Sequence, residues 1–404
     1  MSNEALPRAA YTAFLLGTAS WFVAWGLQSV VFAWLVVSEL GESPARVGLA
    51  QTAALLPAVP LVLLGGALGD RRDPSGILAA LHLSFGVVLA GLVGVIATGA
   101  LSYPLLLAFA AASGSLNALQ VPARDAQLYP LARAALSRGV VGANLVSQVG
   151  QAFGGVAGTA LGWLGAPVVI AIQAALAVSG AAPSLWLRNR VVSVVPPPEP
   201  SRGRVLADVA GGLRVALRSP ELRPVLLLTT LVGLLFVGVY GVVLPLLVRD
   251  AYRGGPRELS LLLSMVPLGG IAGGVAIYLR GGIRRNGRAL VVGQAFSAAC
   301  IGSLAAAPPF AGACAAVFGW GAGSAYFLAA GRTLFHLGAP PAQRATLLGL
   351  YSLGILGTGP IGSLLSGLLV GAVGPHRALA LQAGAMLLGI ALVTARSRIL
   401  HGDA

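Results

Sequence analysis

Four charges stand side by side in GALGDRRDPSG (residues 66–76): Asp70, Arg71, Arg72 and Asp73, in a chain of which only 9% is charged. A carboxylate next to a guanidinium can meet the electropositive N-terminus of a helix and hold two elements together until the contact breaks. Asp70 and Arg71 fit such a latch, and they fit a solvated turn as well. Proton chemistry has few carriers. Asp70, Asp125 and His82 are the candidates, because no Asp or Glu falls near the middle of any long apolar run. His82 also suits a hydrogen-bonded structural role.

Other chemistries find no support. The chain has no lysine, so a Walker-type phosphate loop cannot be built and ATP-driven work is not expected. Cys300 and Cys314 stand in separate apolar runs and lack the spacing of a metal site or a disulfide framework. The four histidines are scattered, so no metal is expected. GTGPIG at 357–362 has the dinucleotide-loop pattern, but that pattern needs a preceding strand and this one lies in an apolar run. Pro360 reads there as a helix kink. No cofactor is expected. His, Asp and Ser do not converge at one depth, so an enzyme is not expected either.

Glycine carries a further pattern. Gly150, Gly154 and Gly158 recur every four residues, with Gly155 beside them, and form a groove that lets another helix approach closely. Gly269, Gly270, Gly273 and Gly274 in PLGGIAGG form a second stripe, and the two are expected to pack together.

The elements that hold these residues follow from composition. The hydrophobic fraction is 57% and the mean hydropathy +0.86. Apolar runs of about twenty residues recur, each long enough to cross roughly 30 Å of hydrocarbon as a helix that closes its own hydrogen bonds. Twelve spans are predicted: 12–38, 46–68, 77–98, 101–120, 139–163, 166–187, 224–248, 259–279, 289–306, 308–331, 345–370 and 377–396. The chain is thus an all-α polytopic membrane protein. With the N-terminus inside, 21 of its 26 basic residues fall on one face. Arg46, Arg249, Arg253, Arg257 and Arg377 fall on the other. This bias places both termini in the cytoplasm, and it reads the net charge of +14 as topology and attraction to anionic lipid rather than nucleic-acid binding.

The middle of the chain is its longest polar stretch. Residues 188–223 open on the proline-stiffened VVPPPEPSRGR and continue with Leu206, Val209, Leu213 and Leu217 at amphipathic spacing. This linker divides an N-terminal six-helix bundle (1–187) from a C-terminal one (224–404). The halves echo each other: Arg124 corresponds to Arg332, and Gly154–Gly155 to Gly359–Pro360. Two related halves joined in this way form the plan of an alternating-access transporter.

The sequence resembles the major facilitator superfamily, and within it the drug and siderophore exporter branch of the enterobactin exporter and macrolide efflux proteins. GALGDRRDPSG is similar to that superfamily's G-x-L-x-D-R-x-G-R-R loop between helices 2 and 3. It matches at Gly66, Leu68, Asp70 and Arg71 and departs at Asp73, Pro74 and Ser75. VPARDAQLYPL resembles the branch's P-A-R-x-A segment, and GQAFGGVAG stands where its antiport motif would lie, with Gly155 in place of proline. The resemblance implies a major facilitator fold and a latch of Gly66, Asp70 and Arg71 that stabilises the outward-facing state. It further implies a cavity lined by helices 1, 4, 7 and 10, which offer Trp21, Trp25 and Gln28, then Asn117, Tyr240, Trp320 and Tyr326. Gln148, with Asn144 and Gln151, adds amides from helix 5. Such an aromatic, nearly uncharged lining suits a bulky amphipathic small molecule. Secondary efflux from a bacterial inner membrane by a monomer is the expected function, with facilitator-type import or uniport as the alternative. Protons as coupling ion follow from the resemblance alone.

Overall fold

The computed structural model describes residues 5–61, 73–131, 136–188, 190, 205–340, 344–397 and 399. Among these there is no strand. Ten helical segments are long and apolar enough to cross a membrane. One of them, Gly139–Arg188, holds 50 residues and two spans. Its break is Gly165, whose φ of 76° lies in the left-handed region where a side chain would clash. Span 2 adds a further helix, Pro44–Leu55, which resumes at 58–61 after a turn; the rest of it lies outside the described residues. The described residues thus account for the twelve predicted spans, span 2 in part.

Two compact units divide the chain. The first comprises Met1–Leu40, Ala53–Pro200 and Gly255–Ser260; the second comprises Gly41–Thr52, Ser201–Gly254 and Leu261–Ala404. The start of span 2 groups with the second unit because its small residues meet span 11 there. A methyl on Gly48 would press on the Ser363 carbonyl, and Thr52 Oγ1 donates to the Pro360 carbonyl at 2.8 Å. Between the halves, Val205–Arg218 is a helix.

In the first unit, span 1 (Ala5–Trp34) runs parallel to span 5 (Leu136–Ala157). Tyr11 donates to Gly139 O at 3.0 Å near one end, Gly150 abuts Ala19 and Phe22, and Gly158 abuts Val30 near the other. Span 6 returns antiparallel to span 1, from Gln173 beside Ala24 to Leu187 in a cluster with Phe14 and Ala10. The second unit repeats the parallel pairing of its first and fifth spans. In span 7 (Leu222–Leu235, continuing to Asp250), Gly233 abuts the Ile355 carbonyl and Gly238 abuts the Gly362 carbonyl of span 11.

Packing corrects the expected glycine partnership. Gly150 and Gly154 meet the backbone of span 1, whereas Gly269 and Gly273 meet Phe318, Ala322 and Ala325 of span 10. Each stripe thus closes a contact inside its own bundle. Only Gly158 reaches span 8, at Ser260 Oγ. Span 4 is also longer than predicted. It runs Tyr103–Leu131, so Arg124 and Asp125 are helical rather than loop residues. The PARDAQ sequence reads as loop because it is polar; the helix keeps it because its polar side chains bond inward. Span 11 breaks where expected: Arg344–Leu356 and Gly359–Val373 flank a turn at Gly357–Thr358, with Pro360 in the first turn of the second piece. At the break Thr358 Oγ1 donates to Gly354 O at 2.7 Å and lies 3.2 Å from Thr230 O of span 7.

Candidate functional site

Span 4 places Asn117, Gln120, Arg124 and Gln127 at spacings of three and four, so one face of an apolar helix is polar. Each turns into the first unit. Arg124, 9% exposed, donates from Nη1 to Ser147 Oγ of span 5 at 2.9 Å and from Nη2 to Asp125 Oδ1 at 2.9 Å. Its guanidinium also lies over the Phe22 ring, 5.5 Å from the centroid. Gln127 Nε2 donates to Ser75 Oγ of span 3 at 3.0 Å. Gln120 is buried, and its Oε1 has no partner among the described residues. A cavity of about 10 Å³ opens between Thr18, His82, Gln120, Arg124, Gln127 and Ser184, room for about one water. The cluster is a charged plug that hydrogen-bonds spans 3, 4 and 5 and meets the Phe22 ring of span 1, with span 6 lining the cavity beside it.

Sequence reasoning assigns Arg124 to a loop and passes over Gln120, Gln127 and Gln173. A signal for the first two exists: two amides and an arginine at i, i+4 and i+7 in a helix that continues past its prolines.

The predicted latch, Gly66, Asp70 and Arg71, lies outside the described residues. Asp73, the last of the four charges, does not hang free. It caps span 3 (Pro74–Ala97): its carboxylate accepts from Ser75 N at 3.1 Å and from Gly76 N at 3.0 Å, with Pro74 opening the helix. Arg188 Nε lies 3.5 Å from the same carboxylate at the end of span 6.

Of the proton candidates, Asp125 holds Arg124 and is half in solvent, its side chain 55% exposed. His82 is buried; its Nδ1 lies 2.7 Å from the Ala177 carbonyl, which fixes the proton on that nitrogen. Its ring meets Trp21 edge-on at 5.2 Å and fills the space that glycine leaves at position 180. This is a joint between spans 3 and 6.

The aromatic and amide residues divide in two. Trp21 has no accessible surface, and its indole N–H donates to Asn117 Oδ1 at 3.3 Å. Gln28 accepts from Gln173 Nε2 at 2.7 Å and is buried. Trp320 is buried edge-on to Phe236 at 6.1 Å. These polar and aromatic groups face partners in their own unit. Trp25, Asn144, Gln151, Tyr240 and Tyr326 are half-buried, and Gln148 is exposed. Tyr240 belongs to a π-helical turn, Val239–Val243, in the middle of span 7. Tyr326 Oη accepts from Arg280 Nη1 at 2.6 Å. Among the described residues no three His, Cys, Asp or Glu side chains gather as a metal site would require.

Solved structures share this fold along nearly the whole chain. A nucleoside transporter, NupG, superposes with a TM-score of 0.73 at 14% identity, covering 96% of this chain and 98% of its own. A bacterial homologue of the human lysosomal transporter Spinster, in an inward-facing and unoccupied conformation, gives 0.73 at 15% identity, covering 100% and 99%. The human organic anion transporter MFSD10 gives 0.67 at 17% identity, covering 96% and 99%. At such identities the likeness establishes a major facilitator fold and nothing finer. No curated protein sequence matches the chain. Residues 6–404 match the family described as transmembrane secretion effector. A fold of twelve spans in two bundles, with that match along its length, makes the chain a major facilitator transporter belonging to the transmembrane secretion effector family.

Proposed function

We propose that this transporter works by alternating access and exports an amphipathic small molecule, a drug, siderophore or other secondary metabolite, with protons as the coupling ion. The observation that carries the reading is the match of residues 6–404 to a family described by secretion. The partly exposed side chains among the predicted cavity residues support the substrate class. Trp25, Gln148 and Tyr240 are aromatic or neutral, and none of them would repel an uncharged or weakly charged molecule. Trp21, Gln28, Asn117 and Trp320 serve this surface by holding its helices. Asp70 and Arg71 form the gating latch, and Asp70 and Asp125 carry the proton. The arginine distribution supports a bacterial inner-membrane protein with both termini, and the linker 188–223, in the cytoplasm.

The test is dye accumulation in cells. Expression lowers the level of a fluorescent cationic or neutral dye, the difference disappears when the proton gradient is collapsed, and Asp70→Asn abolishes it while leaving the protein in the membrane. Unchanged efflux by Asp70→Asn would remove the latch. A facilitator-type importer or uniporter of the same fold is the competing reading. Uptake that persists without a proton gradient would favour it.

A further inference from the structure

From Leu259 to Gly402 the chain contains no Asp or Glu, yet four arginines, Arg280, Arg284, Arg285 and Arg288, crowd the connection between spans 8 and 9. No carboxylate among the described residues pairs with any of them. Two of the four, Arg280 and Arg288, stand at the end of an open groove of about 450 Å³ within the second unit, a size that suits a bound small molecule. Its floor is Ala322, Gly323 and Tyr326 of span 10, which span 8 (Pro256–Leu279) and span 9 (Asn286–Ser303) flank on either side. Phe296 and Val292 line it from span 9 and are 50% and 63% exposed. On span 8, Tyr278 and Leu279 are exposed and Gly274 meets nothing.

The groove therefore has two chemistries in series. Arg288 and Phe296 are eight residues apart on one helix, which at 1.5 Å per residue separates the charged end from the apolar wall by about 12 Å. The Tyr326 hydroxyl holds Arg280 from one nitrogen at 2.6 Å, leaving the other guanidinium N–H groups to donate elsewhere. An apolar wall of half-exposed side chains along a membrane span can receive an acyl chain, and paired guanidinium groups at its end call for a phosphate.

We propose that this groove is a binding site for an anionic phospholipid, with the phosphate between Arg280 and Arg288 and one acyl chain along Val292, Phe296 and the floor of span 10. The lipid supplies the counter-charge that the chain from Leu259 to Gly402 lacks. The site does not depend on the direction of transport or on the substrate.

Native mass spectrometry of the full chain in detergent, titrated with phosphatidylglycerol, tests it. The wild-type protein retains one phosphatidylglycerol and binds phosphatidylcholine at least about tenfold more weakly. Arg280→Gln/Arg288→Gln weakens phosphatidylglycerol binding by about tenfold or more. Ala289→Trp, which fills the groove and keeps both arginines, does the same, whereas Arg284→Gln/Arg285→Gln stays near wild type. Millimolar inorganic phosphate leaves the lipid in place. Undiminished binding by the Arg280/Arg288 variant or by a monodisperse Ala289→Trp protein overturns the proposal. So does equal binding of phosphatidylcholine, or displacement by phosphate, which would mark a simple anion site.

Discussion

Gln173 Nε2 donates both to Gln28 Oε1 at 2.7 Å and to the Ala24 carbonyl at 3.1 Å, so one amide of span 6 grips the side chain and the backbone of span 1. Both glutamines are buried. Interhelical hydrogen bonds in membranes contribute about 0.6 to 2 kcal/mol each. Gln173→Leu is expected to lower stability by about that amount in detergent melting. Gln28→Leu/Gln173→Leu should cost less than the sum of the single changes, because neither partner is then stranded.

Gly154 and Gly274 offer a paired comparison. A methyl at Gly154 would collide with the Val23 carbonyl of span 1, whereas one at Gly274 meets nothing within 4 Å. Gly154→Ala is expected to destabilise by about 1–3 kcal/mol, the usual cost of overpacking. Gly274→Ala should be neutral or slightly stabilising, since alanine is the better helix former. Thermal unfolding of the two variants, measured side by side, checks both.

Asp73 and Asp70 should separate stability from transport. Asp73→Ala removes the cap of span 3 and is expected to cost about 1 kcal/mol, while Asp73→Ser keeps a capping oxygen and costs little. Arg188→Gln should be nearly silent, because its pair with Asp73 is long and largely solvated. Asp70→Asn, in contrast, is expected to abolish dye efflux with melting unchanged.

His82 is expected to matter for the joint and not for the proton. His82→Ala removes the imidazole donor to the Ala177 carbonyl, which keeps the Gly180 N–H, and empties the space between spans 3 and 6, so it should lower stability by about 1–3 kcal/mol. His82→Asn restores a donor of similar reach and recovers part of that loss. In both, efflux should keep its dependence on the proton gradient; a flattened pH profile in His82→Asn would contradict this.

The spans are legible in the sequence because hydropathy and helix length are local. Trp34, Gly165 and Pro360 sit in apolar runs whose ends can be counted. The end of span 4 is not legible in this way, because polarity alone marks Arg124 as loop. Only the positions of Ser147 and Asp125 show how a helix can keep that charge inside. The glycine stripes are visible, but their partners are not. A groove of glycines states that some backbone comes close, and whether Val23 or Gly273 supplies it is decided by tertiary pairing. The parallel contact of each unit's first and fifth spans, Gly154 on Val23 and Gly233 on Ile355, is a matter of topology that no single run encodes.

The wide turn at Val239–Val243 amounts to one surplus residue absorbed by widening the coil instead of slipping it. Everything beyond Val243 is rotated by about 100° relative to a regular helix. Handing the extra residue one turn along would swing the Tyr240 ring to a new bearing with both ends of the helix in place. A coil with one spare residue would thus turn the face at its middle without moving its anchors.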